Sequence, residues 1–315
     1  MVSPFFPGCP EVRRVTEIFS YGDAFSRNLG WFTETEQQTL RNKTIAIAGM
    51  GGVGGVHLLT LARLGIANFR IADLDVFETA NFNRQVGAMV STLGRPKVSV
   101  LSKMAKDINP ECNILEYSEG VTDSNVDAFL RGADLFVDGF DFFVVNMRRK
   151  TFAQARELGI PAVTAAPVGM GVAFLAFFRD SMPFEDYFRF EGRNELRQYV
   201  NFLMGLAPSG MHRAYLVDPK RLDIANRKTP STIVGVQLCA SFTAAQAVKI
   251  LLGRGEVRPA PYHYHFDAYL NRFEAGRKSG NGGFLQRLRG NAVERMFRKQ
   301  LELQSGNSVN SAART

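Results

Sequence analysis

The sequence predicts an α/β fold: a Rossmann-like, doubly wound, mostly parallel sheet with C-terminal antiparallel strands and added helices. Residues 43–75 resemble a β-α-β unit, because a short apolar run, a glycine turn, an apolar-periodic run and a second apolar run follow one another there. From there to residue 166, strand-like and helix-like segments alternate, which is typical of a parallel sheet. After Pro167 the rhythm changes, and runs at 171–178 and 262–269 predict further strands, the first of them at the sheet edge.

Capping residues, periodicity and helix-stopping residues define the individual elements. Thr33 and Glu36 form a predicted capping box that opens a short helix through residue 41. Pro230 is expected in the first turn of an apolar helix that ends at residue 252; polar and small residues interrupt this helix, so we expect a buried packing helix rather than a membrane span. The other predicted helices are 97–107, 123–130, 147–157, 284–303 and one within 191–226, and the other predicted strands are 113–117, 134–138 and 160–166.

The chain divides into three predicted parts: an N-terminal arm (1–32), a nucleotide-binding domain (33–275) and a basic C-terminal linker, helix and tail (276–315). At 315 residues and 45% hydrophobic content, the chain can bury one large core or two modest ones, so we expect a soluble globular protein. The sequence predicts no membrane span and no signal peptide. Its three cysteines are far apart and form no Cys-x-x-Cys pair, which favours a cytoplasmic location and excludes a cysteine zinc site.

A glycine turn follows the first predicted strand, with Gly49, Gly51 and Gly54 in the pattern Gly-x-Gly-x-x-Gly and Gly52 between them. Glycine lets backbone amides approach a phosphate, and the positive end of the following helix favours the anion. Asp73, nineteen residues after Gly54, ends the second strand, where a carboxylate can accept hydrogen bonds from ribose hydroxyls. A dinucleotide and ATP fit this motif almost equally well, and a turn that serves only tight strand-to-helix packing is the structural alternative.

Four charged residues outside the turn favour nucleotidyl transfer over hydride transfer. Arg84 and Lys97 lie on a long polar connection at the sheet edge where parallel sheets bind ligands. Two cations there can neutralise the charge that spreads over an α-phosphate and its pyrophosphate leaving group. Asp141, after a later strand, is a candidate Mg²⁺ ligand, and Arg27 is a candidate arginine finger. Taken singly, each has a structural alternative as a solvated cation or, for Asp141, as a helix cap.

In these motifs the sequence resembles the ThiF and MoeB adenylyltransferases, whose fold is shared by the activating enzymes of ubiquitin and its relatives. The resemblance covers roughly residues 27–180 and returns in the helix 230–252 and near residues 266–267. Residues 81–85, Asn-Phe-Asn-Arg-Gln, are similar to the family's Asn-x-x-Arg-Gln, and Lys97 follows thirteen residues after Arg84, as the family lysine does. The resemblance implies an ATP site of Gly49, Gly51, Gly52, Gly54, Asp73, Asp75, Asn81, Arg84 and Lys97, and catalytic roles for Arg84, Lys97, Arg27 and Asp141, with Asp141 as the metal ligand.

The resemblance also implies the reaction and the partners. ATP and Mg²⁺ would adenylate a carboxylate, giving an acyl-adenylate and pyrophosphate. The substrate would be the free C-terminus of a small ubiquitin-like protein, sulfur-carrier protein or peptide. Arg27 is similar to the arginine that reaches into the neighbouring subunit's site, which implies a homodimer.

The sequence departs from this family in three ways. Many relatives carry two Cys-x-x-Cys pairs for zinc, and this chain has none. The segment 179–228, where relatives that form a thioester carry their cysteine, contains no cysteine, and we expect Cys112 and Cys239 to be structural. Phe142 stands where relatives often have asparagine after the magnesium aspartate.

The net charge of +8 is concentrated near the C-terminus, where residues 272–299 carry eight basic and two acidic residues. This basic segment could be a solvated helix face with no partner, or it could bind a nucleic acid or an acidic protein. Two further hypotheses follow: the carboxylate is carried by a tRNA that binds this basic segment, or the chain is a catalytically silent nucleotide-binding scaffold. A nicotinamide dehydrogenase is the remaining alternative.

His263, His265 and Asp267 alternate along the predicted strand 262–269 and therefore share one face. They could ligate a metal, but no third histidine lies near them in sequence. We expect them instead to be surface residues on a half-exposed strand face.

Overall fold

The computed structural model describes residues 19–224, 226–277 and 283–312. These residues contain one eight-stranded sheet in the order β3-β2-β1-β4-β5-β6-β7-β8. Its strands are β1 (Thr44–Ala48), β2 (Asn68–Ala72), β3 (Asn113–Tyr117), β4 (Leu135–Asp138), β5 (Ala162–Val168), β6 (Gly171–Phe177), β7 (Tyr262–Asp267) and β8 (Arg272–Arg277).

The first five strands are parallel and the last three are antiparallel, which confirms the predicted fold. In the register of the sheet, Ala48 at the end of β1 lies opposite Ala72 of β2 and Asp138 of β4. The carboxyl ends of these three strands therefore meet at one edge, where such sheets bind ligands.

Ten α-helices lie within the described residues. They are α1 (Tyr21–Phe25), α2 (Glu34–Asn42), α3 (Gly52–Arg63), α4 (Lys97–Ile108), α5 (Val126–Leu130), α6 (Val145–Glu157), α7 (Phe184–Phe188), α8 (Glu195–Leu206), α9 (Ile233–Leu252) and α10 (Phe284–Ala312). Successive side chains of β1 point to opposite faces: Ile45 and Ile47 join a core with α3, α4 and α9, whereas Ala46 and Ala48 join a second core with α5 to α8 and α10. The sheet is thus covered on both faces.

Local sequence signals explain the helix starts. The capping box of α2 is confirmed, because the Thr33 hydroxyl accepts from the Glu36 amide and the Glu36 carboxylate accepts from the Thr33 amide. The expectation that Pro230 lies in the first turn of α9 is wrong. That helix begins at Ile233, because the hydroxyl of Thr232 caps it by accepting from the Gly235 amide.

Helix α9 is long and apolar enough, by length and composition alone, to cross a membrane. In the fold it packs on α3, β5 and β6 and buries small residues such as Cys239, Ala240 and Ala244. That arrangement agrees with the predicted packing helix.

Two predictions about the C-terminal half need correction. Strand β6 pairs with β5 as expected, but β7 pairs with its other side, so β6 is not at the edge. The edge strand on that side of the sheet is β8, which the sequence did not predict; it ends at Arg277, two residues after the domain boundary placed at residue 275. Most of the predicted linker, residues 278–282, lies outside the described residues.

Both ends of the described chain pack onto the domain. The Tyr21 hydroxyl of α1 donates to the Gly65 carbonyl at 2.7 Å, so part of the predicted arm belongs to the core. In α10, Phe297 is fully buried, and Glu294 pairs with Arg197 of α8 at 2.9 Å. Helix α10 therefore docks on α8.

Candidate nucleotide site

The glycine turn at the end of β1 is shaped by very close backbone approaches. Gly49 has a φ of +90° and lies against the backbone of Gly139, which follows β4. A Cβ atom on Gly54 would overlap the Gly49 carbonyl, so α3 can begin there only with glycine. These two glycines are therefore required by packing, as the structural alternative for the motif anticipated.

Gly51 and Gly52, unlike Gly49 and Gly54, have space for a Cβ atom at the mouth of the turn. A Cβ atom on Gly51 would be 3.6 Å from the Gln85 side-chain nitrogen, and one on Gly52 would be 3.4 Å from Val236 in the first turn of α9. The Gln85 Oε1 atom is buried and has no hydrogen-bond partner among the described residues. Gln85 and Val236 line the turn, although the sequence analysis assigned them no role.

Asp73 and Asp75 follow β2 beside the turn. One oxygen of Asp73 accepts from the Met50 amide at 2.6 Å, and the other accepts from the Asp75 amide at 2.8 Å. Burial raises the pKa of Asp73, and the nearby charge of Lys97 acts in the opposite direction. Lys97, which is only 5% exposed at the start of α4, pairs with Asp75 at 2.9 Å. The structure thus brings Asp73, Asp75 and Lys97 together at the turn.

Arg84 and Asn81 lie on the connection between β2 and α4. The stem of Arg84 lies near Gly52, with its Cγ 3.9 Å from the position of a Cβ atom there. Its guanidinium donates to the Ala80 carbonyl at 2.9 Å and to the Asn83 side chain at 3.0 Å. Asn81 is buried, and its side-chain oxygen accepts from the Glu78 amide. Asn81 therefore shapes the connection that carries Arg84.

Asp141 lies on the loop that begins at Gly139, next to the turn. Its side chain is exposed, and one oxygen accepts from the Phe143 amide at 3.0 Å, where the chain enters α6. Arg148 of α6 holds this loop, because its guanidinium donates to the carbonyls of Phe140, at 2.7 Å, and Asp141, at 3.0 Å. No motif in the sequence points to Arg148.

Arg27 lies in a short 3-10 helix, Ser26–Asn28, and its side chain is exposed. Among the described residues it forms no ion pair and no hydrogen bond to the glycine turn. The large apolar side chains nearby are also exposed: Trp31 is 81% exposed and Leu29 is 40% exposed.

The expectation that His263, His265 and Asp267 lie on a half-exposed face is wrong, because all three are fully buried. The segment after α8 covers two of them: His265 contacts the Ser209 hydroxyl at 2.6 Å, and Asp267 accepts from the Tyr215 hydroxyl at 2.8 Å. Burial lowers the pKa of His265 to about 4. Nowhere in the described ranges do three or more His, Cys, Asp or Glu side chains form a group that could hold a metal ion.

The described cysteines behave as structural residues. Cys112 and Cys239 are free and buried. Burial raises the pKa of Cys112 to about 12 and raises that of Cys239 well above its usual value, so neither thiol ionises readily at neutral pH. Cys9 lies outside the described residues.

Comparison with known proteins agrees with this architecture. The ThiF family model matches residues 25–281. The tRNA threonylcarbamoyladenosine dehydratase of Bacillus subtilis is 36% identical over 118 residues, which are 37% of this chain and 46% of that protein. Matched segments of this kind span about half the length of the curated relatives.

Solved structures share the fold at low identity. Escherichia coli MccB with ATP is 20% identical with a TM-score of 0.61, covering 81% of this chain and 70% of that one. Escherichia coli MccB with MccA is also 20% identical, with a TM-score of 0.62 and coverage of 82% and 72%. The family match spans most of the sequence and includes the whole sheet. This chain belongs to the ThiF family.

Proposed function

We propose that this protein is an ATP- and Mg²⁺-dependent adenylyltransferase that activates a carboxylate as an acyl-adenylate. One observation carries the proposal: Lys97 is held at the glycine turn, buried and paired with Asp75 beside Asp73. A buried lysine beside a turn with accessible backbone supplies a fixed positive charge where a triphosphate would lie. A hydride-transfer site has little use for that charge.

The chemistry assigned to the chain is mainly electrostatic. A substrate carboxylate oxygen attacks the α-phosphorus of ATP, a P–O bond to pyrophosphate breaks, and the acyl-adenylate forms. Lys97 and Arg84 stabilise the negative charge that develops on the phosphates, and the backbone at Gly51 and Gly52 contacts them. Asp73 keeps free lone pairs on both oxygens, with which it accepts from the ribose hydroxyls.

Asp141 is the proposed Mg²⁺ ligand. Its exposed carboxylate uses one oxygen to accept from the Phe143 amide, which leaves the other for a cation. Mg²⁺ commonly takes one or two protein carboxylates together with substrate phosphates and water, so a single carboxylate fits it better than a closed protein cage would. When bound, the ion would neutralise phosphate charge and orient the leaving group.

Pyrophosphate exchange tests the proposal directly. Lys97→Met is expected to lower the carboxylate-dependent exchange rate by about 100-fold or more, as the loss of a charge-stabilising donor does. Lys43→Met is the matched control, because Lys43 also pairs with an aspartate, Asp134, at 2.8 Å, but at the opposite edge of the sheet. Exchange that survives Lys97→Met, or that is absent from the native protein with every candidate carboxylate, would refute the proposal.

We further propose a homodimer in which Arg27 reaches the partner's site. Its exposure beside Trp31, which is 81% exposed, supports this arrangement. Mixing inactive Arg27→Ala and Lys97→Met chains should restore roughly a quarter of native activity, because half of randomly paired dimers are mixed and each keeps one intact site. If the mixture stays inactive while the native chain exchanges, Arg27 acts in its own subunit; if Arg27→Ala alone is as active as the native chain, Arg27 has no role in exchange.

The proposed substrate is the free C-terminal carboxylate of a small protein or peptide, and the MccB structure with MccA supports a partner of that kind. Screening peptides that end in Gly-Gly tests this class. We also propose a cytoplasmic location, which the isolated cysteines favour.

A tRNA-borne carboxylate is the second candidate, because relatives are tRNA threonylcarbamoyladenosine dehydratases and α10 exposes Arg289, Arg295 and Lys299. Binding should then weaken steeply with salt, and replacing all three cations should reduce the slope of log K against log salt concentration by about 2–3. Absence of tRNA binding at low salt would exclude this candidate. A catalytically silent scaffold is the third candidate function, and such a protein would bind ATP without catalysing pyrophosphate exchange.

A further inference from the structure

Hydrogen bonds link Arg84 to the chain segment that enters α9. The Arg84 guanidinium donates to the Asn83 side-chain oxygen at 3.0 Å. The side-chain nitrogen of Asn83 in turn donates to the Ser231 carbonyl at 3.0 Å, although the two residues are 148 positions apart in sequence. Asn83 therefore connects the proposed catalytic arginine to a distant segment.

The next residue of that segment is fixed to the turn between β5 and β6. The Thr232 hydroxyl donates to the Gly169 carbonyl at 2.8 Å while it caps α9. Gly235, in the first helical turn, has no space for a side chain, because a Cβ atom would lie 2.7 Å from the same carbonyl. Val236 follows and lines Gly52, so the position of this helix end sets one wall of the glycine turn.

Tyr215 holds the β5–β6 turn from the other side. Its hydroxyl accepts from the Met170 amide at 2.7 Å and donates to the buried carboxylate of Asp267 at 2.8 Å. Its ring lies against Gly169, whose φ of +63° and lack of a Cβ atom allow that contact. The links from Asp267 to Arg84 thus form one continuous series of side-chain contacts and short backbone steps along the carboxyl edge of the sheet.

We infer that Asn83, Thr232 and Tyr215 are positioning residues for adenylation, which fix Arg84 and the α9 wall of the glycine turn without touching substrate. This inference rests on the proposed function. Arg84 lies on an irregular connection and is partly exposed, and its one contact with the local backbone, the Ala80 carbonyl, does not link its guanidinium to α9, whereas Asn83 does. A charge that acts on a developing negative charge must be held near its working position, and a displacement of about 1 Å can cost about 100-fold in rate.

Pyrophosphate exchange on the full chain tests the inference with Asn83→Ala, Thr232→Ala and Tyr215→Phe. Each should lower kcat by about 10-fold or more and leave the Kd of ATP within about twofold, because Lys97 and the turn remain in place. Thr232→Ser keeps the hydroxyl and should restore the native rate. Tyr269→Phe is the matched control, because it removes a hydroxyl from a ring that packs against Tyr215, with the ring centroids 4.6 Å apart and the planes tilted by 36°, and that lies outside the series of contacts.

A double-mutant cycle separates positioning from a general structural effect. If Asn83 acts through Arg84, Asn83→Ala should cause no further loss of kcat in an Arg84→Ala background. Equal losses in both backgrounds would overturn the inference, as would native kcat in Asn83→Ala or a Thr232→Ser chain as slow as Thr232→Ala. A native chain without exchange would instead refute the proposed function, so the two failures are distinguishable.

Discussion

Replacing Arg148 with leucine should destabilise the fold far more than the same change at the adjacent Arg149. The Arg148 guanidinium and the Asp138 carboxylate form an ion pair at 2.8 Å, and each side chain is 2% exposed. Arg148→Leu leaves that carboxylate buried without its counter-charge, although Thr164 still donates to it. We expect the free energy of unfolding to fall by about 3–5 kcal/mol.

Arg149 provides the matched control within α6. It pairs with Glu185 through two hydrogen bonds, at 2.7 and 2.9 Å, where Arg148 makes one to Asp138, but the Arg149 and Glu185 side chains are 29% and 36% exposed. Solvent screens such a pair, so Arg149→Leu should cost only about 0.2–1 kcal/mol. Urea unfolding at pH 7, followed by circular dichroism, measures both losses. Equal losses in the two variants would show that burial does not determine how much each arginine contributes to stability.

The double variant Asp138→Leu/Arg148→Leu distinguishes stability from organisation of the site. Removing both charges should recover most of the lost stability, since a buried pair contributes little net stabilisation relative to apolar residues. The carbonyls of Phe140 and Asp141 would still lack the donors that Arg148 supplies. We therefore expect a stable protein whose pyrophosphate exchange stays impaired. Native exchange in this variant would show that Arg148 does not organise the Asp141 loop.

Three further predictions concern stability and can be measured by urea unfolding. Burial lowers the pKa of His57 to about 3. Between pH 6.5 and 3, His57 is therefore protonated in the unfolded chain and neutral in the folded chain, so the free energy of unfolding falls as the pH falls through this range. His57→Leu should flatten that dependence by about 1.4 kcal/mol per pH unit, and an unchanged slope would contradict it. Phe297→Ala should cost about 3–5 kcal/mol, whereas Met296→Ala, which changes a side chain that is 46% exposed, should cost well under half as much. Thr33→Ala removes a confirmed cap and should cost about 1 kcal/mol, with Thr33→Ser as its control.

The parallel half of the fold could be predicted because local signals agree with tertiary structure there. The glycine turn marks the end of β1 and the start of α3, the apolar periodicity marks the strands and helices, and the Thr33 capping box marks the start of α2. Apart from α10, which extends beyond its predicted end to Ala312, and the helix predicted only as lying within 191–226, the predicted helix and strand boundaries differ by at most three residues from those observed. The pairing of Lys97 with Asp75 is a tertiary contact that the sequence did not predict.

The polar face of β7 could not be predicted, because its cover comes from far away in sequence. The alternation 262–267 buries His263, His265 and Asp267 and leaves the aromatic side chains between them only partly buried. A pattern of that kind normally indicates polar residues in solvent. Here, Ser209 and Tyr215, more than fifty residues upstream, supply the hydrogen-bond partners that make burial tolerable. The β7–β8 turn was also missed, although Asn271 at a φ of +52° is a residue typical of such turns.

Two kinds of contact fix the parts of the candidate site: backbone packing fixes the glycine turn, and side-chain hydrogen bonds that run from buried Asp267 to exposed Asn83 fix Arg84. Gly49, Gly54 and Gly139 fix the turn by backbone contact alone, which needs no side chain. A cation on a long connection has no comparable constraint, so its position must be set by hydrogen bonds to something rigid. Asp267 is rigid because it is buried and because its oxygens accept from Tyr215 and from the Leu270 amide. The fully buried carboxylate of Asp267 is therefore a suitable anchor for the segment that carries Thr232 and, through Asn83, for the guanidinium of Arg84.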